Sequence, residues 1–210
     1  MTIDPRGADA PVPVPTELST ARLRLRPWRA DDAEQLQPVL EANQAHLGPW
    51  IPARVADPAT VPRLATRLAG FADDFATARA WRYAIVSRSD ARVLGEVSLF
   101  PRSAEARVPL ASADRAEIGY WLRADATRQG LATEAVRAVL DVAAAVATFT
   151  RAEIRCDARN AASSAIPRRL GFMLEATQAA AGVRATDASV ALEVWVLELE
   201  RPGEGLTSCA

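Results

Sequence analysis

The stretch richest in chemistry runs Leu122-Arg123-Ala124-Asp125-Ala126-Thr127-Arg128-Gln129-Gly130-Leu131-Ala132-Thr133-Glu134-Ala135. It follows an apolar, strand-like run, Glu117 to Leu122, and opens a long helix rich in alanine and valine. A strand, a short polar loop and a helix start with a glycine in its first turn make an anion cradle. Free backbone N–H groups and the positive end of the helix dipole face whatever the loop holds. Arg123 and Arg128 add full charge beside those donors. The expected occupant is the pyrophosphate of a nucleotide-bearing cofactor.

What the chain lacks narrows the chemistry further. It contains no lysine, so every basic side chain except His46 is an arginine. This removes a phosphate-loop lysine and Schiff-base catalysis. One histidine and two distant cysteines, Cys156 and Cys209, do not make an ordinary zinc site, so no metal is expected. A Ser-His-Asp triad would have to use His46, which stands in no nucleophile motif. Positioning, carboxylates, hydroxyls and backbone donors remain.

The elements that must position these groups are legible in outline. Residues 1–18, with Pro5, Pro11, Pro13 and Pro15, read as a disordered tail, 19–200 as one folded domain and 201–210 as a loose tail. Leu23 and Leu25 alternate with Arg22, Arg24 and Arg26, which predicts a half-buried strand with a solvated arginine face. A helix from Asp31 to about Ala45 ends at His46-Leu47-Gly48-Pro49-Trp50-Ile51-Pro52. This loop either faces substrate or packs Trp50 over the core. Leu64, Leu68, Phe71 and Phe75 mark the core stripe of a second helix. Trp81 to Ser87 and Val93 to Phe100 read as a hairpin, with a bulge or close backbone approach at Gly95-Glu96. Ala116 to Leu122 feeds the cradle, and its helix carries Leu131, Ala135, Val139 and Val142 on one side. A strand, Arg151 to Cys156, leads through Asn160 into a helix interrupted by Pro167. Gly171-Phe172 starts another strand, and Ser189 to Leu199 gives the last, placed centrally because its apolar residues do not strictly alternate. The class is α/β, hairpins mixed with crossover helices.

Composition bounds the rest. With 210 residues, 50% of them hydrophobic and 24% charged, the chain suits one domain with a sizeable core. A net charge of −1 gives no footprint for nucleic acid or an anionic membrane surface. No apolar run has the length of a membrane span, and residues 1–15 lack the pattern of a signal peptide. The sparse cysteines suit a reducing cytoplasm.

Three blocks in order give the chain a resemblance to a known family. They are Ala116-Glu117-Ile118-Gly119-Tyr120-Trp121-Leu122, then Arg128-Gln129-Gly130-Leu131-Ala132-Thr133-Glu134-Ala135, then Asp157 to Phe172 with Asn160, Ser163 and Leu170-Gly171-Phe172. With Arg22 to Trp28 as a first strand, the chain resembles the GNAT superfamily of acetyl-coenzyme A-dependent N-acetyltransferases from about Thr20 to Glu200. Within it the chain is most similar to the branch named for the ribosomal-protein acetyltransferases RimJ and RimL. The resemblance implies a mixed, mostly antiparallel sheet of about six to seven strands flanked by about four helices. Two parallel strands splay into a V that holds acetyl-coenzyme A. It further implies that Trp121, Leu122 and Arg123 meet the pantetheine arm and acetyl group through backbone. Arg128, Gln129, Gly130, Leu131, Ala132 and Thr133 would wrap the pyrophosphate, and Asn160, with Ser163 nearby, would bond the pantetheine arm. Two positions depart from the family pattern. Thr127 stands where arginine or glutamine is usual, and Pro167 where many members carry a tyrosine proposed as general acid.

Acetyl transfer to an amine needs a neutral amine, a polarised thioester carbonyl and a thiol leaving group. Glu117 is the expected general base, with Glu96 second; the Leu122 N–H would polarise the carbonyl. Ser163 or Tyr120 would supply the thiolate's proton, while His46, Trp50, Glu96 and Tyr120 are the expected acceptor-side residues. The acceptor is a primary amine, a protein N-terminal α-amine or a small amine such as an antibiotic or polyamine. A non-catalytic coenzyme A-binding module is the third reading. A monomer and a homodimer are equally compatible with the sequence.

Overall fold

Leu23 and Leu25 are fully buried, and Arg24 between them is exposed. That alternation commits the first arginine-rich stretch to a strand with one face on the core, but Arg26 departs from the expected solvated arginine face: it is buried and pairs with Asp32 at 2.6 Å. In the computed structural model, which describes residues 14–179 and 191–200, the elements follow in order. Strands β1 (Leu18–Ser19) and β2 (Leu23–Pro27) precede helix α1 (Ala33–Ala42), the single turns α2 (Gln44–Leu47) and α3 (Ala53–Ala56), and helix α4 (Val61–Ala76). Strands β3 (Trp81–Ser87), β4 (Val93–Arg102) and β5 (Arg115–Leu122) lead into α5 (Leu131–Ala145), β6 (Arg151–Asp157) and α6 (Ala161–Arg169). Strands β7 (Met173–Ala179) and β8 (Ala191–Glu198) complete the described fold.

One sheet holds all eight strands in the order β1-β2-β3-β4-β5-β6-β8-β7. Every neighbouring pair is antiparallel except β5 and β6. The strand beyond the expected six to seven is β1, whose Leu18 pairs with Leu25. The expected tail therefore folds at its end: the Tyr83 hydroxyl donates to the Pro15 carbonyl at 2.7 Å. Residues 1–13 and 201–210, the rest of the expected tails, lie outside the described residues, as do Ser189 and Val190 of the expected last strand. That strand, β8, runs between β6 and β7, inside the sheet.

Helix α5 packs Leu131, Ala135, Val136 and Val139 against one sheet face, over Val97, Leu99 and Ile118. The other face receives Leu36 and Leu40 of α1 and Leu64 and Leu68 of α4, around Trp28 and Trp121. No helix among the described residues is long and apolar enough to cross a membrane.

Two irregularities open the sheet. Strands β5 and β6 pair from Arg115 and Arg151 to Ile118 and Ile154 and then part, although they continue to Leu122 and Asp157. In β4, Leu94 is an extra residue: Ile85 faces Gly95 while Val86 faces Val93. A Cβ on Gly95 would stand 2.0 Å from the Trp121 carbonyl oxygen, so β4 and β5 approach more closely than any side chain allows. Both the bulge and the close approach expected at this glycine are present.

Candidate active site

Where β5 and β6 part, a cleft of about 1230 Å³ opens and continues between α5 and α6. Its inner end is set by Leu122. Successive peptide groups in a strand point to opposite edges. The Arg123 N–H donates to the Leu94 carbonyl on the β4 side at 2.8 Å. The N–H and C=O of Leu122 therefore face the opening.

The cradle lies at the start of α5. Arg128 (φ 59) and Gly130 (φ 77) both take left-handed backbone, which turns the loop onto the helix start. No side chain caps α5, so Leu131, Ala132 and Thr133 present their N–H groups to the cleft they line. Arg128 lines it as well and is exposed. These are the features a pyrophosphate needs: uncapped donors, a glycine where the backbone must come close, and a cation. Arg123 and Gln129 are placed differently from expectation. Arg123 pairs with Asp125 at 2.5 Å, and the Gln129 side chain donates to the Asp125 carbonyl at 2.8 Å. Neither lines the cleft; both brace the loop.

A further brace comes from Arg22, which reads in the sequence as an ordinary strand arginine. Its guanidinium donates to the Gln129 carbonyl at 2.8 Å and to Glu134 at 2.7 Å. Glu134 also accepts from the Thr20 hydroxyl and the Arg22 N–H. Partial burial would raise its carboxyl pKa, but these donors outweigh burial and hold it low. Nothing in the spacing signals this contact, because it joins Arg22, just before β2, to α5 across more than 100 residues. Arg137 and Arg169 also line the cleft. Helical spacing from Glu134 was the available signal for Arg137.

On the facing helix, the Asn160 side chain caps α6 by accepting from the Ser163 N–H at 3.1 Å. Pro167 has no N–H, so the Ser163 carbonyl loses its helical partner four residues on. The Tyr120 hydroxyl donates to that carbonyl at 3.0 Å and accepts from the Ser163 hydroxyl at 3.2 Å. Burial pushes the Tyr120 phenol well above its usual range, against the smaller lowering effect of Ser163. The residue that departs from the family pattern thus recruits a tyrosine from β5. Tyr120, Trp121, Leu122, Asn160 and Ser163 all line the inner cleft.

His46 and Trp50 line the same end, beside Leu47 and Ile51. His46 lies in the turn α2, not in the loop that follows, and its Nε2 sits 3.2 Å from the Leu122 carbonyl oxygen. Trp50 is 40% exposed at the rim, which decides between its two expected placements in favour of the cleft.

The two expected carboxylates are not brought to the cleft. Glu96, 3% exposed, accepts from Trp28 Nε1 and from Arg82, both at 2.8 Å. Glu117 accepts from Arg102 at 2.5 Å and from Arg107. Burial would raise its pKa, but the Arg107 and Arg102 guanidiniums prevail and hold it below the usual carboxylate range. Both carboxylates lie on a covered sheet face, where a charge persists only with a partner. A carboxylate fixed in its ionised form between two arginines is a poor proton acceptor.

The family described as acetyltransferase (GNAT) domain matches residues 22–173. The chain is 28% identical over 151 residues to the probable N-acetyltransferase YjcK of Bacillus subtilis (strain 168), covering 72% of this chain and 80% of that protein. Among solved structures it is similar to RimL, a ribosomal L7/L12 alpha-N-protein acetyltransferase in complex with coenzyme A. That likeness has a TM-score of 0.72 at 22% identity, over 89% of this chain and 97% of the other. The microcin C7 self-immunity acetyltransferase MccE, in complex with acetyl-CoA and AMP, superposes with a TM-score of 0.73 at 20% identity, over 89% and 98%.

Proposed function

The chain belongs to the GNAT acetyltransferase family, and from that premise we propose that it transfers the acetyl group of acetyl-coenzyme A to a primary amine, a protein N-terminal α-amine being the acceptor class the cleft favours. The observation that carries this is the splay itself, with an uncapped helix start at one end and the Leu122 N–H turned toward the opening at the other. Bound acetyl-coenzyme A would supply an activated thioester. The residues present suit it: Leu131, Ala132, Thr133 and Arg128 would hold the pyrophosphate, and the α6 start would flank the pantetheine arm. The Leu122 N–H would draw electron density onto the carbonyl oxygen, as a preorganised backbone donor. The hydrogen-bonded Tyr120 and Ser163 hydroxyls would deliver a proton to the departing sulfur.

The acceptor end supports an α-amine over a polyamine. The described residues lining it are His46, Leu47, Trp50, Ile51 and Trp121, with no carboxylate to gather cationic amines. An α-amine, of pKa about 7.7–8.0, is already partly neutral near pH 7, unlike a lysine amine near 10.4. Titration calorimetry tests the first step: acetyl-coenzyme A should bind with one site per chain, and no binding would overturn the proposal. A panel of peptides and small amines, with released thiol as the readout, tests the acceptor class.

A further inference from the structure

We propose that His46 is the general base of the transfer, acting through Nδ1. The inference rests on the reading of the cleft as an acetyl-coenzyme A site and goes beyond it by assigning the proton acceptor. A carbonyl oxygen can only accept, so the contact between His46 Nε2 and the Leu122 oxygen at 3.2 Å requires the proton on Nε2. The neutral ring then carries its free lone pair on Nδ1, the nitrogen a base needs. Leu122 presents its N–H on the same edge as its carbonyl. The backbone donor for the thioester oxygen and the anchor of the imidazole are thus one residue, in the wall of the cleft that His46 itself lines.

Elimination points the same way. Imidazole is the side chain that takes up and releases a proton near neutral pH. Glu117 and Glu96 are bound by arginines away from the cleft. Of the carboxylates that do line it, Glu134 is held by Arg22, and Asp141 lies two turns further along α5. The groups on the elements around His46 are engaged: Arg123 pairs with Asp125, Glu41 of α1 accepts from Gln37, and Tyr120 is bonded to Ser163. The cleft is further lined by Arg128, Arg137 and Arg169 and by Arg159, which pairs with Asp157 at 2.7 Å.

His46 Nδ1 takes one proton from the acceptor ammonium, and the freed lone pair forms the nitrogen–carbon bond to the acyl group. The carbon–sulfur bond breaks, and its electron pair leaves on sulfur. The second proton lost by nitrogen goes to that sulfur through the Tyr120 and Ser163 hydroxyls, and the imidazolium returns its proton to solvent.

His46→Gln keeps a donor for the Leu122 carbonyl and removes the base. It should lower kcat/KM for the acceptor about 100-fold and abolish the acid limb of its pH profile, with acetyl-coenzyme A affinity kept within about threefold. A variant with near wild-type kcat/KM and the same limb would overturn the assignment. Because the chain has a single histidine, its titration is readable by NMR in the unaltered protein. Its midpoint should match the acid limb of kcat/KM, and a separation of more than about one pH unit would also overturn the assignment. Failure of the wild-type protein to bind acetyl-coenzyme A would instead bring down the reading of the cleft on which the assignment stands.

Discussion

At the scale of single residues, left-handed backbone and buried charge mark what the site cannot exchange. Gly130 sits at φ 77, a conformation a Cβ penalises by about 1 kcal/mol. Gly130→Ala should lower stability by about that amount and weaken acetyl-coenzyme A binding severalfold, as thermal unfolding and calorimetry would show. Glu117 tells a different story. Its carboxyl is held low in the folded chain and returns to about 4.3 on unfolding, so its contribution is complete above that value. It fades as the pH falls through the lower folded value. The melting temperature of the wild type should therefore fall more steeply between about pH 5 and pH 3 than that of Glu117→Gln. At neutral pH the variant should be less stable by about 3 kcal/mol, since two arginines, one of them buried, lose their carboxylate. Its turnover, measured on folded protein, should be kept; a collapse of kcat would return Glu117 to the chemistry.

Between elements, two contacts set the width of the cleft. The Tyr120 hydroxyl holds α6 to β5 through the carbonyl that Pro167 leaves unpaired. Tyr120→Phe should cost about 1 kcal/mol. In a Pro167→Ala background the Ser163 carbonyl regains a helical donor, and the same change should cost measurably less. A double-mutant cycle in denaturant reads that coupling directly, and additivity would refute it. The second contact is the brace from Arg22, just before β2, to the cradle loop. Arg22→Met should raise the dissociation constant for acetyl-coenzyme A roughly tenfold, because the loop then pays for its ordering on binding. The acceptor KM should hardly move, because Arg22 touches the cradle loop and does not line the cleft. Stopped-flow binding and steady-state kinetics separate the two effects.

For the whole molecule, what was legible followed sequence distance. The cradle, the Asn160 cap, the hairpin with its Gly95 bulge and the inner position of β8 rest on neighbours in sequence or on uninterrupted hydrophobic patterning, and each is visible in one dimension. Arg22 on Glu134, Tyr120 on Ser163 and the capture of Glu117 by Arg102 and Arg107 are pairings created by the sheet order. No local pattern encodes them. That is why the surroundings of Glu117 are hidden in the sequence, whereas the glycine turn and uncapped start of α5 are visible in it. The same topology makes a global prediction. The cleft walls belong to α5 and α6, which follow the two strands that part, and a ligand between them bridges both. At about 100 times its dissociation constant, acetyl-coenzyme A should add about 2.7 kcal/mol to the folded state. At roughly 2–4 °C per kcal/mol for a domain of this size, the melting temperature should rise by about 5–10 °C. Amide exchange should slow first at 119–123 and 157–163, the strand ends and helix start that lack each other's hydrogen bonds in the splay. Protection confined to the cradle loop would mean that the ligand stops at the pyrophosphate and never reaches the Leu122 end.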